Sequence, residues 1–245
     1  MSAGYDLEWV MGLDMGPHPL WQLEDLLPDL ALRPGDRVLD LGCGRGATSV
    51  FLARECGAVV VALDLWVDPV NLRLTLTRAG VGDRVTAVRA DARVLPFAPE
   101  TFDAVVGIDC FEYFGTDVHL LPSLLRVLRP GGRLAVSTPA LRTDPYEEPP
   151  PPHVRAVVGW EAAAWHSPAW WATHWELTGL LEDVGARMQP GGREDWLEWS
   201  LATGGPEDPV TRMLEADTED QIGFALVSAR RRAVPDPYGP GQPAH

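Results

Sequence analysis

Lysine is absent from this chain of 245 residues: the 20 basic residues are all arginine, against 35 acidic ones, for a formal charge of −15. A field of that sign repels the phosphates of nucleic acid and the headgroups of an anionic membrane, so neither is expected as a partner. The one basic cluster, Arg230-Arg231-Arg232, closes a strand-like run and reads as a solvated strand end. Cysteine is scarce: Cys43, Cys56 and Cys110 are odd in number and lack metal-ligand spacing, which argues against a disulfide framework or a metal site and suits a reducing cytoplasm. No apolar run approaches the ~20 residues that cross a bilayer. Asp6, Glu8 and Asp14 stand where a leader would be basic, so a soluble, unprocessed protein is expected.

Hydrophobic residues make up 46% of the chain, enough for one substantial α/β domain with a cap. The most informative stretch is Val38-Leu39-Asp40-Leu41-Gly42-Cys43-Gly44-Arg45-Gly46. Val-Leu-Asp-Leu has the pattern of a buried strand, and Arg45 to Glu55 that of the helix after it, so the glycines occupy a strand-to-helix turn. The spacing also satisfies the loose dinucleotide pattern, and the glycines alone do not separate the two ligands. Asp40 does. A pyrophosphate on the helix N-terminus would be opposed by a carboxylate there, whereas S-adenosylmethionine has no phosphate and carries an ammonium and a sulfonium.

The next two strands supply two more carboxylates. Ala58 to Leu63 is a buried-strand run ending on Asp64, eighteen residues after Gly46, where both ribose hydroxyls could be accepted. Arg84 to Arg89 reads as a third strand ending on Ala90-Asp91-Ala92, a place for an adenine amino group.

From Val38 to Pro139 the chain resembles the class I S-adenosylmethionine-dependent methyltransferases. Thr101-Phe102-Asp103-Ala104-Val105-Val106 and Leu128-Arg129-Pro130-Gly131-Gly132-Arg133-Leu134 complete the likeness around the fourth and fifth strands. The resemblance implies a Rossmann-like, doubly wound, seven-stranded and mostly parallel sheet with an antiparallel last strand, expected at Ile222 to Ser228. It implies a cofactor site of Asp40, Gly42, Cys43, Gly44, Gly46, Asp64, Leu65, Asp91, Ala92 and Asp109, and a small-molecule acceptor. In the family an N-terminal segment often covers the cofactor, which makes Tyr5, Trp9 and His18 candidates for contact with substrate.

Residues 1–36 are accordingly read as a cap segment with an amphipathic helix from Pro19, and 37–140 as the cofactor-binding core. Residues 141–215 read as a stiff acidic linker and a tryptophan-rich acceptor cap, 216–234 as the last-strand region, and 235–245 as a disordered tail. Seven of the ten tryptophans lie between Trp160 and Trp199. Ser167-Pro168 is a good helix start, with Gly185 as its expected end. On that helix Trp170, Trp171 and Trp175 suggest an aromatic wall selecting a flat or apolar acceptor.

Methyl transfer is an in-line displacement in which alignment does most of the work. The loop after strand four, Gly107 to Gly115, offers Glu112 as a general base and Tyr113 as an acceptor contact; His166 and His174 are the other candidate bases. The Tyr-Phe-Gly loop and the His-Ser-Pro-x-Trp-Trp helix together resemble a set of bacterial class I methyltransferases in which the position of Glu112 is often histidine. Two other functions use the same donor half: a non-methylating reaction such as a cyclisation, and a non-catalytic cofactor-binding module.

Overall fold

The computed structural model describes residues 1–13 and 15–233. Seven strands form one sheet: β1 (Arg37–Leu41), β2 (Val59–Asp64), β3 (Val85–Arg89), β4 (Phe102–Ile108), β5 (Leu128–Leu141), β6 (Leu181–Met188) and β7 (Ile222–Arg231), in the spatial order β3-β2-β1-β4-β5-β7-β6. The pairs β1/β2, β1/β4, β2/β3 and β4/β5 are parallel, and β7 runs antiparallel to both β5 and β6. This is the doubly wound, mostly parallel sheet expected, with its reversed last strand. The strand order reverses between β1 and β4, and ligands bind outside the carboxyl ends of the strands at such a switch point.

Nine helices surround the sheet among the described residues: α1 (Leu7–Gly12), α2 (Pro19–Leu30), α3 (Ala47–Glu55), α4 (Pro69–Arg78), α5 (Leu120–Val127), α6 (Pro152–Val158), α7 (Pro168–Glu176), α8 (Gly192–Thr203) and α9 (Pro209–Ala216). One face of the sheet buries Leu20, Leu23 and Leu26 of α2, Phe51 of α3 and Leu72 of α4. The opposite face buries Leu121 and Leu124 of α5 with Trp171 and Trp175 of α7. A third apolar cluster joins Val154 of α6, Trp196 of α8 and Met213 of α9 to Ile222 and Phe224 of β7.

The expected division of the second half changes. Residues 141–215 are not one inserted cap, because β6 lies within them and α7 packs on it as part of the core sandwich. Helix α7 begins as read, with the Ser167 hydroxyl accepting from Trp170 N at 3.3 Å and Pro168 in its first turn. It ends at Glu176, not Gly185: a turn reverses the chain and Gly185 belongs to β6, opposite Ser228.

The three arginines at the end of β7 are spent on the chain itself. Arg230 pairs with Glu182 and Asp183, Arg231 donates to Leu128 O, and Arg232 donates to Leu181 O. No described helix is long and apolar enough to cross a membrane. The expectation about residues 235–245 lies outside the described residues.

Candidate cofactor and acceptor site

The turn after β1 is built from backbone shapes that side chains resist. Gly42, Gly44 and Gly46 have φ of +67°, +53° and +95°, in the left-handed region. Space is short as well: a Cβ on Gly46 would stand 2.7 Å from Leu72 Cδ1 of α4, and one on Gly42 would stand 2.8 Å from Cys110 Sγ. This turn is one wall of a cavity of about 400 Å³, within the roughly 300–1,000 Å³ of small-molecule sites. The floor is made by residues at the ends of β2, β3 and β4, namely Asp64-Leu65-Trp66, Asp91-Ala92-Arg93 and Asp109-Cys110. Leu13, Met15, Gly16, Pro17 and Pro19 close it from the N-terminal side, and Tyr113 and Phe114 from the loop after β4.

Asp64 is buried, and both of its oxygens shape the site. Oδ2 accepts from Gly44 N at 2.9 Å, while Oδ1 accepts from Trp66 N at 2.7 Å and Val67 N at 2.9 Å. The carboxylate thus ties the glycine turn to the loop after β2, and its remaining lone pairs are acceptors only. Asp91 is held by Arg93, whose Nε and Nη2 reach it at 2.9 and 2.6 Å; the guanidinium keeps its carboxyl below the usual range. Asp109 takes φ +52°, unusual for a residue with a Cβ, and its N donates to Ser137 O at 2.8 Å.

Asp40 does not line the cavity; it lies behind the turn, 1% exposed. Oδ2 accepts from Thr48 Oγ1 at 2.6 Å and Ser49 Oγ at 2.5 Å, and Oδ1 has no hydrogen-bond partner. Burial raises its pKa to about 6, against the two hydroxyls that favour the charge and with a smaller push from Asp64. A buried carboxylate oxygen lacking a donor beside a glycine turn fits a ligand that brings a cation. Together with the carboxylates of Asp64, Asp91 and Asp109 on the floor it makes the site chemically suited to S-adenosylmethionine.

Glu112 sits on the other side of the loop and is not among the residues that line the cavity. It lies in the short 3₁₀ turn Phe111–Tyr113 and accepts from Thr138 Oγ1 of β5 at 3.1 Å. Burial first, and then the charge of Glu161, raise its pKa to about 7. Glu161 escaped the sequence reading because it belongs to another segment, the 3₁₀ turn Gly159–Ala164, which packs near the end of β5. Tyr113 is 56% exposed and meets Trp66, itself 64% exposed, edge to face at 5.3 Å, so two aromatic rings stand at the cavity mouth.

The tryptophan wall is not where it was expected. Trp171 and Trp175 are fully buried, packed against Phe111 at 5.8 and 6.1 Å in the core beneath the sheet. Trp170 stacks between His166 and His174, at 3.5 and 4.7 Å, away from the cavity. These rings fill the space between α7 and the sheet, since an edge strand as thin as β6 needs apolar cover.

Neither histidine reaches the cavity. His166 Nδ1 is 3.0 Å from Asp144 Oδ2, which also accepts from Ser167 N, so it fastens the linker to the start of α7. Burial lowers the pKa of both His166 and His174.

Of the N-terminal candidates, Tyr5 stacks on Phe51 and its hydroxyl donates to Glu55 at 3.2 Å, Trp9 packs on the same cluster, and His18 caps α2 with Nδ1 accepting from Trp21 N at 3.3 Å. None of the three lines the cavity; their neighbours Leu13, Met15, Gly16 and Pro17 do. Trp66, Arg93, Cys110 and Phe114 also line it unforeseen. For Trp66 and Arg93 the signal was in hand, since each lies two residues beyond an acidic strand end.

Comparison with known proteins agrees with this geometry. The sequence model of the family described as a methyltransferase domain matches residues 38–132. Methyltransferase GfsG of Streptomyces halstedii is 35% identical over 120 residues, 49% of this chain, and the chain spans 43% of that protein's length. The 27-O-demethylrifamycin SV methyltransferase of Amycolatopsis mediterranei (strain S699) is 29% identical over 219 residues, covering 82% of this chain and 79% of that protein. Among solved structures, geranyl diphosphate C-methyltransferase from Streptomyces coelicolor A3(2), in complex with Mg2+, geranyl diphosphate and S-adenosyl-L-homocysteine, shares the fold. Its TM-score is 0.71 at 20% identity, over 87% of this chain and 79% of that one.

Proposed function

We propose that the chain, which carries a methyltransferase domain over residues 38–132, is a class I S-adenosylmethionine-dependent methyltransferase that methylates a small apolar or aromatic acceptor admitted at the cavity mouth. The bound cofactor supplies an electrophilic methyl group. Asp64 accepts its ribose hydroxyls while keeping Gly44 in place, Asp40 balances its ammonium end from behind the turn, and Leu65 and Ala92 flank its ring. Asp91, already paired with Arg93, sets the rim on the adenine side.

Trp66, Tyr113 and Phe114 present ring surface to the acceptor and exclude water from the line of attack. Glu112 takes the acceptor's proton. Its carboxylate is raised into the neutral range by burial, and the Thr138 hydroxyl fixes its orientation. The observation that carries this reading is the row of carboxylates Asp64, Asp91 and Asp109 at three successive strand ends, facing one cavity whose mouth is aromatic.

The acidic balance of the chain supports a neutral or cationic acceptor over a phosphorylated one, and a small molecule over nucleic acid. Three free cysteines suit a cytoplasmic setting. The test is turnover with labelled S-adenosylmethionine on a panel of hydroxylated aromatics, apolar alcohols, amines and their phosphorylated counterparts. Label entering a neutral acceptor together with release of S-adenosylhomocysteine supports the reading. Transfer confined to phosphorylated acceptors contradicts it, as does acceptor conversion without S-adenosylhomocysteine.

A further inference from the structure

The segment that closes the cavity is held from outside by a residue of a different part of the chain. Trp199 of α8 is 2% exposed, does not line the cavity, and donates from Nε1 to Gly16 O at 2.9 Å. Its indole is also one side of a packed aromatic group: the His18 ring stands edge-on to it at 4.5 Å and stacks on Trp21 at 4.0 Å, and Trp21 meets Trp199 at 6.3 Å. His18 is in turn the N-terminal cap of α2, so the group fixes the end of the closing segment to two helices at once.

Within that segment the fit to the cavity wall is tight. Gly16 lies so close to Asp109 that a Cβ would collide with its Oδ2, and Met15 Sδ lies 3.1 Å from where a Cβ on Gly44 would be. Gly16 and Met15 thus touch the loop after β4 and the glycine turn, two walls of the cavity.

We propose that Trp199 is a positioning residue, a latch that holds the Met15–Gly16–Pro17 cover shut over the bound cofactor and so sets the rate at which cofactor and product leave. The inference rests on reading this cavity as the cofactor site. It gives α8, which otherwise carries Trp196 into the third apolar cluster, a second role toward the cover.

The experiment is release of labelled S-adenosylhomocysteine from the full chain after a chase with unlabelled ligand. Trp199→Phe keeps the ring packing and removes the Nε1 donor, and one hydrogen bond corresponds to release faster by about threefold to tenfold. Gly16→Ala keeps the carbonyl that Trp199 bonds and instead drives the cover off the Asp109 wall, where its Cβ would meet Oδ2, so it is expected to speed release as well. Trp196→Phe, a matched loss on the same helix, leaves release unchanged. Wild-type release from both Trp199→Phe and Gly16→Ala would overturn the latch, and so would equal acceleration in Trp196→Phe. A wild-type chain that does not retain S-adenosylhomocysteine would instead overturn the cofactor reading, and the latch with it.

Discussion

Asp40→Asn should move stability and ligand affinity in opposite directions at neutral pH. The carboxylate is 1% exposed, one oxygen receives two hydroxyl donors, the other receives none, and burial raises its pKa from the ordinary 3.8 to about 6. A group whose folded pKa is raised contributes stability below its unfolded pKa and loses it as pH rises through the folded one. The window here runs from about pH 4 to pH 6, and two units correspond to about 3 kcal/mol at most. Asparagine abolishes that loss but leaves a buried amide donor unpaired, at a cost of about 1–2 kcal/mol.

The ligand-free variant should therefore melt below wild type at pH 4 and above it at pH 7.5. The gain at pH 7.5 is about 1–2 kcal/mol, or roughly 2–8 °C for a chain of this size. In the same variant S-adenosylmethionine should bind about tenfold more weakly, the equivalent of one charge-assisted contact. Thermal melts at the two pH values and calorimetric titration at pH 7.5 measure all three. A ligand-free variant that melts below wild type by the same margin at both pH values would refute the buried-charge argument.

Other outcomes follow from the same geometry. Glu112→Gln should lower kcat/KM by about 10²–10⁴, with cofactor affinity unchanged by calorimetry, and the wild-type rate should rise through pH 7, where the Glu112 carboxyl ionises; a full-rate Gln variant would remove it as the base. Tyr113→Ala, at an exposed position, should raise the acceptor KM while leaving the melting temperature within about 2 °C, as surface changes do. Trp171→Ala should cost about 3–5 kcal/mol of stability, read by denaturant unfolding, because it empties a fully buried ring position in the core; a variant as stable as wild type would return α7 to the acceptor pocket.

The glycine turn and the carboxylates of the cavity were legible because their signals are local. Three glycines with positive φ and an acid at the end of each successive strand follow from strand-to-helix turns in a parallel sheet, and the chain order already places those ends side by side. The tryptophans of α7 were misread because the evidence on them is non-local. Tryptophans on α7 look alike whether they face a ligand or a sheet, and only the presence of β6 decides. That strand hid itself: in Leu-Glu-Asp-Val-Gly-Ala-Arg-Met only Leu181 is buried and the rest alternates half-buried and exposed positions, with three charges and a glycine, at the sheet edge. With β6 unseen, α7 had no surface to cover, and its rings were assigned to substrate.

The N-terminal segment was placed over the cofactor for a sound reason, its mixture of apolar residues and breakers. Its large rings were the wrong residues. Tyr5, Trp9 and His18 anchor the segment on α3 and α8, and the small Gly16 and flexible Met15 are what reach the cavity.

The most direct test of the central claim is the affinity of S-adenosylmethionine for wild type and for Asp64→Ala, measured by calorimetry under one set of conditions. The carboxylate is assigned two ribose hydroxyls and already holds Gly44, Trp66 and Val67 through their N–H groups. Its removal should weaken binding by about 100-fold or more, the equivalent of two hydrogen bonds to a charged acceptor. Equal affinity in the two proteins would contradict the assignment of this cavity to the cofactor.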